Sequence, residues 1–210
     1  MADGPTCFSP LEPDDDPALR ARLASAHVAI IGCGGLGSNT AAMLVRCGVG
    51  ELTLIDFDFV ERSNLNRQMF FADQLGRPKV DALAETLVRI YPDVILHCHQ
   101  ECVSAENLAH LVAGADVIIE AADRAEAKAM IVNAALDQLP DTPLVSASGL
   151  AGIDSANDIV SERIGDTFYL VGDLRSDVRE GLALLASRVM VAAAHEAHAA
   201  VRILLGHPEP

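Results

Sequence analysis

The sequence has no tryptophan, and aromatic residues of all kinds make up only 4% of its 210 positions. Half of the residues are hydrophobic, so the apolar content consists mostly of Ala, Val, Leu and Ile. This composition is typical of helices that pack on a parallel sheet. The length suits one domain, or a domain with a short appendage, and allows a large hydrophobic core.

Basic residues are also scarce: 15 Lys and Arg stand against 30 Asp and Glu, which gives a formal net charge of -15 and a pI near 4.7. A chain of this charge repels polyanions on average, so binding to nucleic acids or to acidic membranes is disfavoured. A nucleotide site in such a chain requires local clusters of Arg, Lys and backbone N–H groups.

The five cysteines are odd in number and form no C-x-x-C pair, which argues against a disulfide framework and against a cysteine-rich zinc site. Residues 1–5 have neither the basic segment nor the apolar core of a signal peptide. The longest apolar tract, near the C-terminus, is interrupted by Arg188, Glu196 and Arg202, so it does not predict a membrane span. We expect a cytoplasmic protein.

Short apolar runs alternate with helix-period patterns along the chain, after an acidic, proline-rich beginning. We expect residues 1–26 to form an N-terminal arm with a short helix, and residues 27–210 to form a single nucleotide-binding domain. The predicted strands are residues 27–31, 52–55, 93–97, 117–119 and 144–147. The predicted helices are residues 17–24, 38–47, 104–113, 125–139 and 181–205, with another that begins at residue 78. This order predicts an α/β fold with a doubly wound, mainly parallel sheet and a Rossmann-like nucleotide-binding half.

A glycine-rich motif connects the first predicted strand of this domain to the helix that follows. Gly32, Gly34 and Gly37 match G-x-G-x-x-G, and Gly35 and Leu36 lie within the same turn. Glycine allows a positive φ and a close approach of backbone N–H groups to phosphate oxygens. Asp56 follows at the end of the next strand, at the spacing of about 20 residues expected for an acid that binds ribose hydroxyls. The motif predicts a nucleotide site without naming the nucleotide.

The segment after Asp56 favours a triphosphate over a nicotinamide dinucleotide. Residues 56–68 and 76–79 contain a dense set of long donors, including Arg67 and Lys79. A fixed guanidinium can bind phosphate oxygens in pairs, and a lysine at the start of a helix can reach the α- and β-phosphates. A dehydrogenase has no evident need for this set beside its ribose-binding acid.

Three sequence elements carry a resemblance to a known family: residues 32–38, the pattern D-x-D-x-V-x-x-S-N-L-N-R-Q over residues 56–68, and G-x-P-K over residues 76–79. Together they resemble the adenylyltransferases of thiamine and molybdopterin synthesis, the ThiF, MoeB and HesA family, which are related to ubiquitin-activating enzymes. The resemblance runs from about residue 27 to the C-terminus. Residues 163–173 are similar to the corresponding stretch of a short ThiF-like subgroup.

This resemblance implies roles for several further residues. In enzymes of the family, the residues that correspond to Asp56 and Asp58 face the ribose and the active site. The residues that correspond to Asn66, Arg67, Gln68 and Lys79 contact the triphosphate. Asp123, after the fourth strand, matches an acid that binds Mg²⁺. The family usually has Asn after this acid, whereas this chain has Arg124, which could pair with Asp123 or contact phosphate.

The implied reaction is an attack by the C-terminal carboxylate of a ubiquitin-like sulfur carrier protein, ending in Gly-Gly, on the α-phosphorus of ATP. The implied catalytic residues are Arg67, Lys79 and Asp123, the implied cofactors are ATP and Mg²⁺, and the implied assembly is a homodimer. No cysteine follows Cys102, so sulfur has to come from another protein or from sulfide.

Two alternatives remain open from the residues alone. The same chemistry could activate a small-molecule carboxylate or a carboxylate on a modified tRNA base, although the charge of -15 disfavours an RNA partner. An NAD-binding oxidoreductase or sensor would explain the glycine motif and Asp56 and would leave residues 63–68 unexplained.

Overall fold

In the computed structural model, which describes residue 10, residues 16–177 and residues 181–209, a seven-stranded sheet crosses the molecule in the order β3-β2-β1-β4-β5-β7-β6. All neighbouring strands are parallel except β6 and β7, which are antiparallel. The carboxyl ends of β1, β2, β4, β5 and β7 therefore lie along one edge of the sheet, where the loops that follow them can form a site.

The strands are β1 (His27–Ile31), β2 (Glu51–Ile55), β3 (Ile95–His99), β4 (Val117–Glu120), β5 (Leu144–Ala147), β6 (Val160–Ile164) and β7 (Phe168–Gly172). The helices are α1 (Pro17–Ala24), α2 (Gly35–Arg46), α3 (Lys79–Ile90), α4 (Leu108–Leu111), α5 (Ala125–Gln138) and α6 (Ala186–Leu204). Short 3₁₀ turns cover Arg62–Asn64, Ala72–Gln74 and Ala156–Asp158.

Helices cover both faces of the sheet, as the sequence predicts for a doubly wound fold. Along β1, Val28 and Ile30 pack with residues of α2, α3 and α6, whereas Ala29 and Ile31 pack with residues of α4 and α5. Because successive side chains of a strand point to opposite faces, a strand between two helical layers has to be apolar throughout. Among the described residues, no helix is both long enough and apolar enough to cross a bilayer.

The β6–β7 hairpin was not predicted from the sequence. Its turn contains Gly165 with φ of 77°. The available signal was a Gly-Asp turn between two runs of alternating side chains, which is a weak hairpin pattern.

Several predicted boundaries were wrong. The predicted helix over residues 104–113 is restricted to Leu108–Leu111, because the Asn107 side chain accepts from the Ser104 N–H and donates to the Cys102 carbonyl, so it competes with helical hydrogen bonding. The third strand begins two residues later than predicted, where Ile95 comes into register with Glu51. Helix α2 begins inside the glycine motif, at Gly35, and α6 begins at Ala186. The predicted arm before residue 16 lies outside the described residues, apart from residue 10.

Candidate functional site

The glycine motif lies at the carboxyl edge of the sheet, between β1 and α2. Gly32 has φ of 97°, and its N–H donates to the Ile55 carbonyl at 2.8 Å, so the turn is held against the end of β2. Gly34 is the N-cap of α2 and supplies no side-chain cap. The first N–H groups of a 12-residue helix therefore face the edge of the sheet, where they favour an anion.

Gly37 is required by close backbone packing. A Cβ atom placed there would lie 1.8 Å from the Gly32 carbonyl oxygen. A Cβ atom at Gly32 would in turn lie 2.6 Å from the Ala121 carbonyl oxygen, so the turn also packs tightly against the end of β4. The loop has one tightly constrained conformation, as a phosphate-binding turn requires.

A Gly37→Ala variant is expected to lose ATP binding and about 2 kcal/mol or more of unfolding free energy, because backbone atoms have to move to admit the methyl group. Calorimetric titration with ATP and urea unfolding measure the two effects. Gly165→Ala is the control: nothing lies within 4 Å of its added Cβ, so only backbone strain of about 1 kcal/mol is expected, with ATP affinity retained. Normal ATP affinity in Gly37→Ala would contradict a phosphate-binding role for this loop.

Asp56 is buried at the end of β2 and organises the loop. Its Oδ2 accepts from the Cys33 N–H at 2.7 Å, and its Oδ1 accepts from the Asp58 N–H at 2.8 Å. Burial raises the pKa of Asp56, and Lys79 together with these hydrogen bonds opposes that rise. Each carboxylate oxygen retains acceptor capacity, so Asp56 can also bind a ribose hydroxyl as the sequence predicts.

Lys79 is the first residue of α3 and forms an ion pair with Asp58. Its Nζ atom lies 2.8 Å from Asp58 Oδ2, and Lys79 as a whole is only 6% exposed. A backbone bond from the Lys79 N–H to the Asp58 carbonyl, at 2.9 Å, fixes the two segments together. The structure thus places a buried ammonium group next to the predicted ribose-binding acids.

Arg67 lies across the start of α2. A Cβ atom at Gly35 would lie 3.5 Å from Arg67 Cγ, which places the stem of the side chain against the loop. Its Nη1 atom donates to Asn66 Oδ1 at 2.8 Å and to the Ser63 carbonyl at 3.2 Å. Asn66 therefore orients the guanidinium group, and Arg67 keeps further donors for an anion.

Gln68 contributes a buried amide to the loop. Its Nε2 atom would lie 3.9 Å from a Cβ at Gly34, and its Oε1 atom is buried without a hydrogen-bond partner in the described part of the chain. An unpaired buried amide group is costly, and a ligand at the loop would satisfy it. Because rotation of the amide exchanges its oxygen and nitrogen, the position can offer an acceptor or a donor.

Two polar residues of α2, to which the sequence patterns assign no role, hold the site together. Asn39 Nδ2 donates to the carbonyls of Gly35 and Arg67, at 2.7 and 2.9 Å. Ser38 Oγ donates to the Gly34 carbonyl at 2.6 Å and accepts from the Met69 N–H at 3.0 Å. Both side chains are buried on an apolar helix directly after the glycine motif, which is the signal that could have identified them.

Asp123 is exposed beyond the end of β4, two residues after Ala121, whose backbone packs against Gly32 of the glycine loop. Within the described residues it forms no ion pair or hydrogen bond, and the possible pairing with Arg124 is absent. Its turn is fixed by Glu120, a fully buried acid that accepts from the Ala122 N–H at 2.8 Å and is ion-paired with Lys128.

The donor set at this edge suits a polyphosphate with a magnesium ion. No group of three His, Cys, Asp or Glu side chains is gathered for a metal among the residues described. Mg²⁺ is commonly held by one or two carboxylates together with phosphate oxygens and water, so a single exposed carboxylate such as Asp123 fits that chemistry.

Cys33, inside the glycine motif, is not a nucleophile candidate. It is fully buried, and burial, followed by the charge of Asp56, raises the pKa of its thiol well above the usual value. The thiol form packs as a small apolar side chain.

Comparisons with known proteins place this arrangement in a family. The chain is 40% identical over 129 residues to ubiquitin-like modifier-activating enzyme 5 of Drosophila persimilis, a match that covers 56% of the chain and 33% of that protein. It is 33% identical over 139 residues to the adenylyltransferase and sulfurtransferase MOCS3 of Drosophila yakuba, covering 66% of the chain and 30% of that protein. The chain thus spans about a third of the length of the curated relatives it matches.

The fold is also shared with solved structures. The E. coli tRNA N6-threonylcarbamoyladenosine dehydratase TcdA, in complex with ATP, matches with a TM-score of 0.81 at 23% identity, over 90% of each chain. A family model, that of the ThiF family, matches residues 11–210. The glycine loop, the segment after β2 and the lysine at the start of α3 therefore lie in a protein of the ThiF family, to which this chain belongs.

Proposed function

We propose that the chain adenylates a protein carboxylate: it uses ATP to activate the C-terminal carboxylate of a ubiquitin-like sulfur carrier protein that ends in Gly-Gly. The observation that carries the proposal is the gathering of Arg67, Lys79 and the N-terminus of α2 around one glycine loop. These cationic groups are concentrated at one edge of a protein whose net charge is -15. Such a cluster supports the binding of a polyphosphate.

The proposed reaction needs no general base. A carboxylate is ionised at neutral pH, and its oxygen attacks the α-phosphorus of ATP while the bond from that phosphorus to the bridging oxygen of pyrophosphate breaks. The products are an acyl-adenylate and pyrophosphate. Arg67 and Lys79 bind the phosphates, Asp56 and Asp58 face the ribose, and Asp123 would hold Mg²⁺, which supplies further neutralisation of phosphate charge.

The relatives support a protein substrate. One is by name an activating enzyme for a ubiquitin-like modifier, and another is an adenylyltransferase and sulfurtransferase. The proposed product is an acyl-adenylate that receives sulfur from a separate donor. A thiamine-type carrier and a homodimeric enzyme remain part of the proposal on the strength of the sequence resemblance.

A tRNA carboxylate is the second candidate. The similarity in fold to the tRNA-modifying TcdA over 90% of both chains is the observation in its favour. The net charge of -15 opposes it, because RNA binding depends on Lys and Arg contacts with phosphate. Filter binding of tRNA at low salt would show tight retention if this candidate were correct.

The test is ATP–pyrophosphate exchange in the presence of Mg²⁺, with a panel of sulfur carriers that end in Gly-Gly. Exchange is expected with a carrier and is expected to be absent with the same carrier lacking its last two glycines. Confirmed ATP binding with no exchange for any carrier would overturn the proposed substrate. Tight NAD binding without ATP binding would instead favour an oxidoreductase or sensor.

A further inference from the structure

Arg188, near the start of α6, is a buried cation that the proposed chemistry does not use. Its side chain is 4% exposed, and Nη2 donates to Oδ2 of Asp173, whose side chain is 1% exposed. Nη1 donates to the backbone carbonyls of Asp154 and Ser155, the latter at 2.7 Å. One guanidinium group therefore joins α6 to the β5 loop (residues 148–158) and to the β7 loop (residues 173–177).

Asp173 is the centre of the β7 loop. Its Oδ1 atom accepts from the N–H groups of Ser176 and Arg175, at 2.8 and 2.9 Å. Burial would raise the pKa of Asp173, but these bonds and those from the side chains of Ser176 and Arg188 outweigh burial and lower the pKa to about 2. The carboxylate is therefore ionised at neutral pH, where it pairs with the Arg188 guanidinium.

The two loops approach each other so closely that glycine is required in both. A Cβ atom at Gly172 would lie 1.7 Å from the Ser148 carbonyl oxygen, and one at Gly149 would lie 2.1 Å from Asp173 Oδ1. A backbone bond from the Asp173 N–H to the Gly149 carbonyl, at 2.9 Å, connects them further. The loops form one unit, and Arg188 attaches this unit to α6.

The same turn of α6 touches the glycine loop. Val189 Cγ1 would lie 3.1 Å from a Cβ atom at Gly35. Because β5 and β7 run parallel to β1, their loops emerge at the same edge of the sheet as the candidate nucleotide site. Val189 and Arg188 of α6 thus contact the glycine loop on one side and the joined β5 and β7 loops on the other.

We propose that Arg188 is a positioning residue that holds the β5 loop at a fixed distance from the glycine loop and so shapes the entrance for the carboxylate substrate. This rests on the proposed function. A buried ion pair adds little net stability compared with an apolar pair of similar size. Its geometry, however, specifies one placement of the loops, because a planar guanidinium satisfies the Asp173 carboxylate and two carbonyls only in one orientation.

The test compares Arg188→Lys with Arg175→Lys. Lysine keeps the positive charge but cannot bond Asp173 and both carbonyls in the same fork geometry. Arg175 is the matched control, since its side chain forms an exposed pair with Asp158 within the same loops. Three quantities are measured: the ATP dissociation constant by calorimetry, the KM for a Gly-Gly carrier in pyrophosphate exchange, and amide hydrogen exchange over residues 148–158.

For Arg188→Lys we expect faster hydrogen exchange over the β5 loop, a carrier KM raised about tenfold, and an ATP dissociation constant within about twofold of the wild type. Arg175→Lys should match the wild type in all three. Unchanged hydrogen exchange over residues 148–158, or a loss of activity that follows a weakened ATP affinity, would overturn the proposal. If the wild type shows no carrier-dependent pyrophosphate exchange, the proposed function and the role in substrate entry fail together. Amide hydrogen exchange over residues 148–158 then reports separately whether Arg188 fixes the β5 loop.

Discussion

A Lys79→Ala variant is expected to lose about 100-fold or more of the carrier-dependent exchange rate, which is the usual effect of removing one preorganised charge from a phosphoryl-transfer site. Lys79 is 6% exposed, and its ammonium group lies 2.8 Å from Asp58 beside the glycine loop. A cation shielded from water interacts strongly with a developing negative charge. Initial rates of pyrophosphate exchange at saturating carrier measure the loss.

Two further variants separate charge from packing. Lys79→Met keeps most of the apolar stem, so it should lose activity like the alanine variant while remaining as stable as the wild type. Arg77→Ala removes a cation two residues away whose pair with Glu85 is exposed, and such pairs contribute little. Normal exchange in Lys79→Met, or an equal loss in Arg77→Ala, would exclude the role assigned to Lys79.

A Glu196→Gln variant is expected to show a much weaker pH dependence of stability than the wild type. Glu196 is fully buried on α6 and lies 2.9 Å from Thr40 Oγ1. Burial raises its pKa to about 8; Lys128 and Thr40 lower it, and Glu120 adds to the rise. The folded protein thus keeps a proton on Glu196 that the unfolded chain releases near the ordinary glutamate pKa of 4.5.

The stabilisation linked to this proton is complete below pH 4.5 and is lost as the pH rises through about 8. Between pH 4.5 and about pH 8, each pH unit lowers the unfolding free energy by about 1.4 kcal/mol relative to a chain without the Glu196 carboxyl group. Urea unfolding at several pH values gives the slopes for wild type and Glu196→Gln. A Glu101→Gln variant, which changes an exposed acid, should retain the wild-type slope. Identical slopes for the wild type and Glu196→Gln would contradict a neutral buried carboxyl.

The grouping of the candidate nucleotide-site residues at one edge of the sheet could be predicted from the sequence because these residues are close together along the chain. The glycine motif, Asp56 and residues 63–68 follow β1 and β2 directly, and parallel strands bring their carboxyl ends to one edge. The ion pair between Asp58 and Lys79 was not predicted, because it depends on a bridge between Phe59 and Pro78 that folds the segment back on itself.

The side of the site formed by α6 and the β5 and β7 loops could not be predicted in this way. The contact of Arg188 with Asp173 depends on the β6–β7 hairpin, whose strands have no strong periodic pattern. Buried charges such as Arg188, Glu120 and Glu196 occur within apolar runs, where the sequence shows an interruption but not the partner that compensates it. The partner is determined by tertiary packing, which periodicity alone does not describe.

The most direct test of the central claim is to identify the products that form from ATP, Mg²⁺ and a Gly-Gly carrier. Attack on the α-phosphorus predicts pyrophosphate in solution and a carrier whose intact mass increases by one adenylyl group. Release of ADP and inorganic phosphate, with an unmodified carrier, would place the attack at the γ-phosphorus and contradict the account.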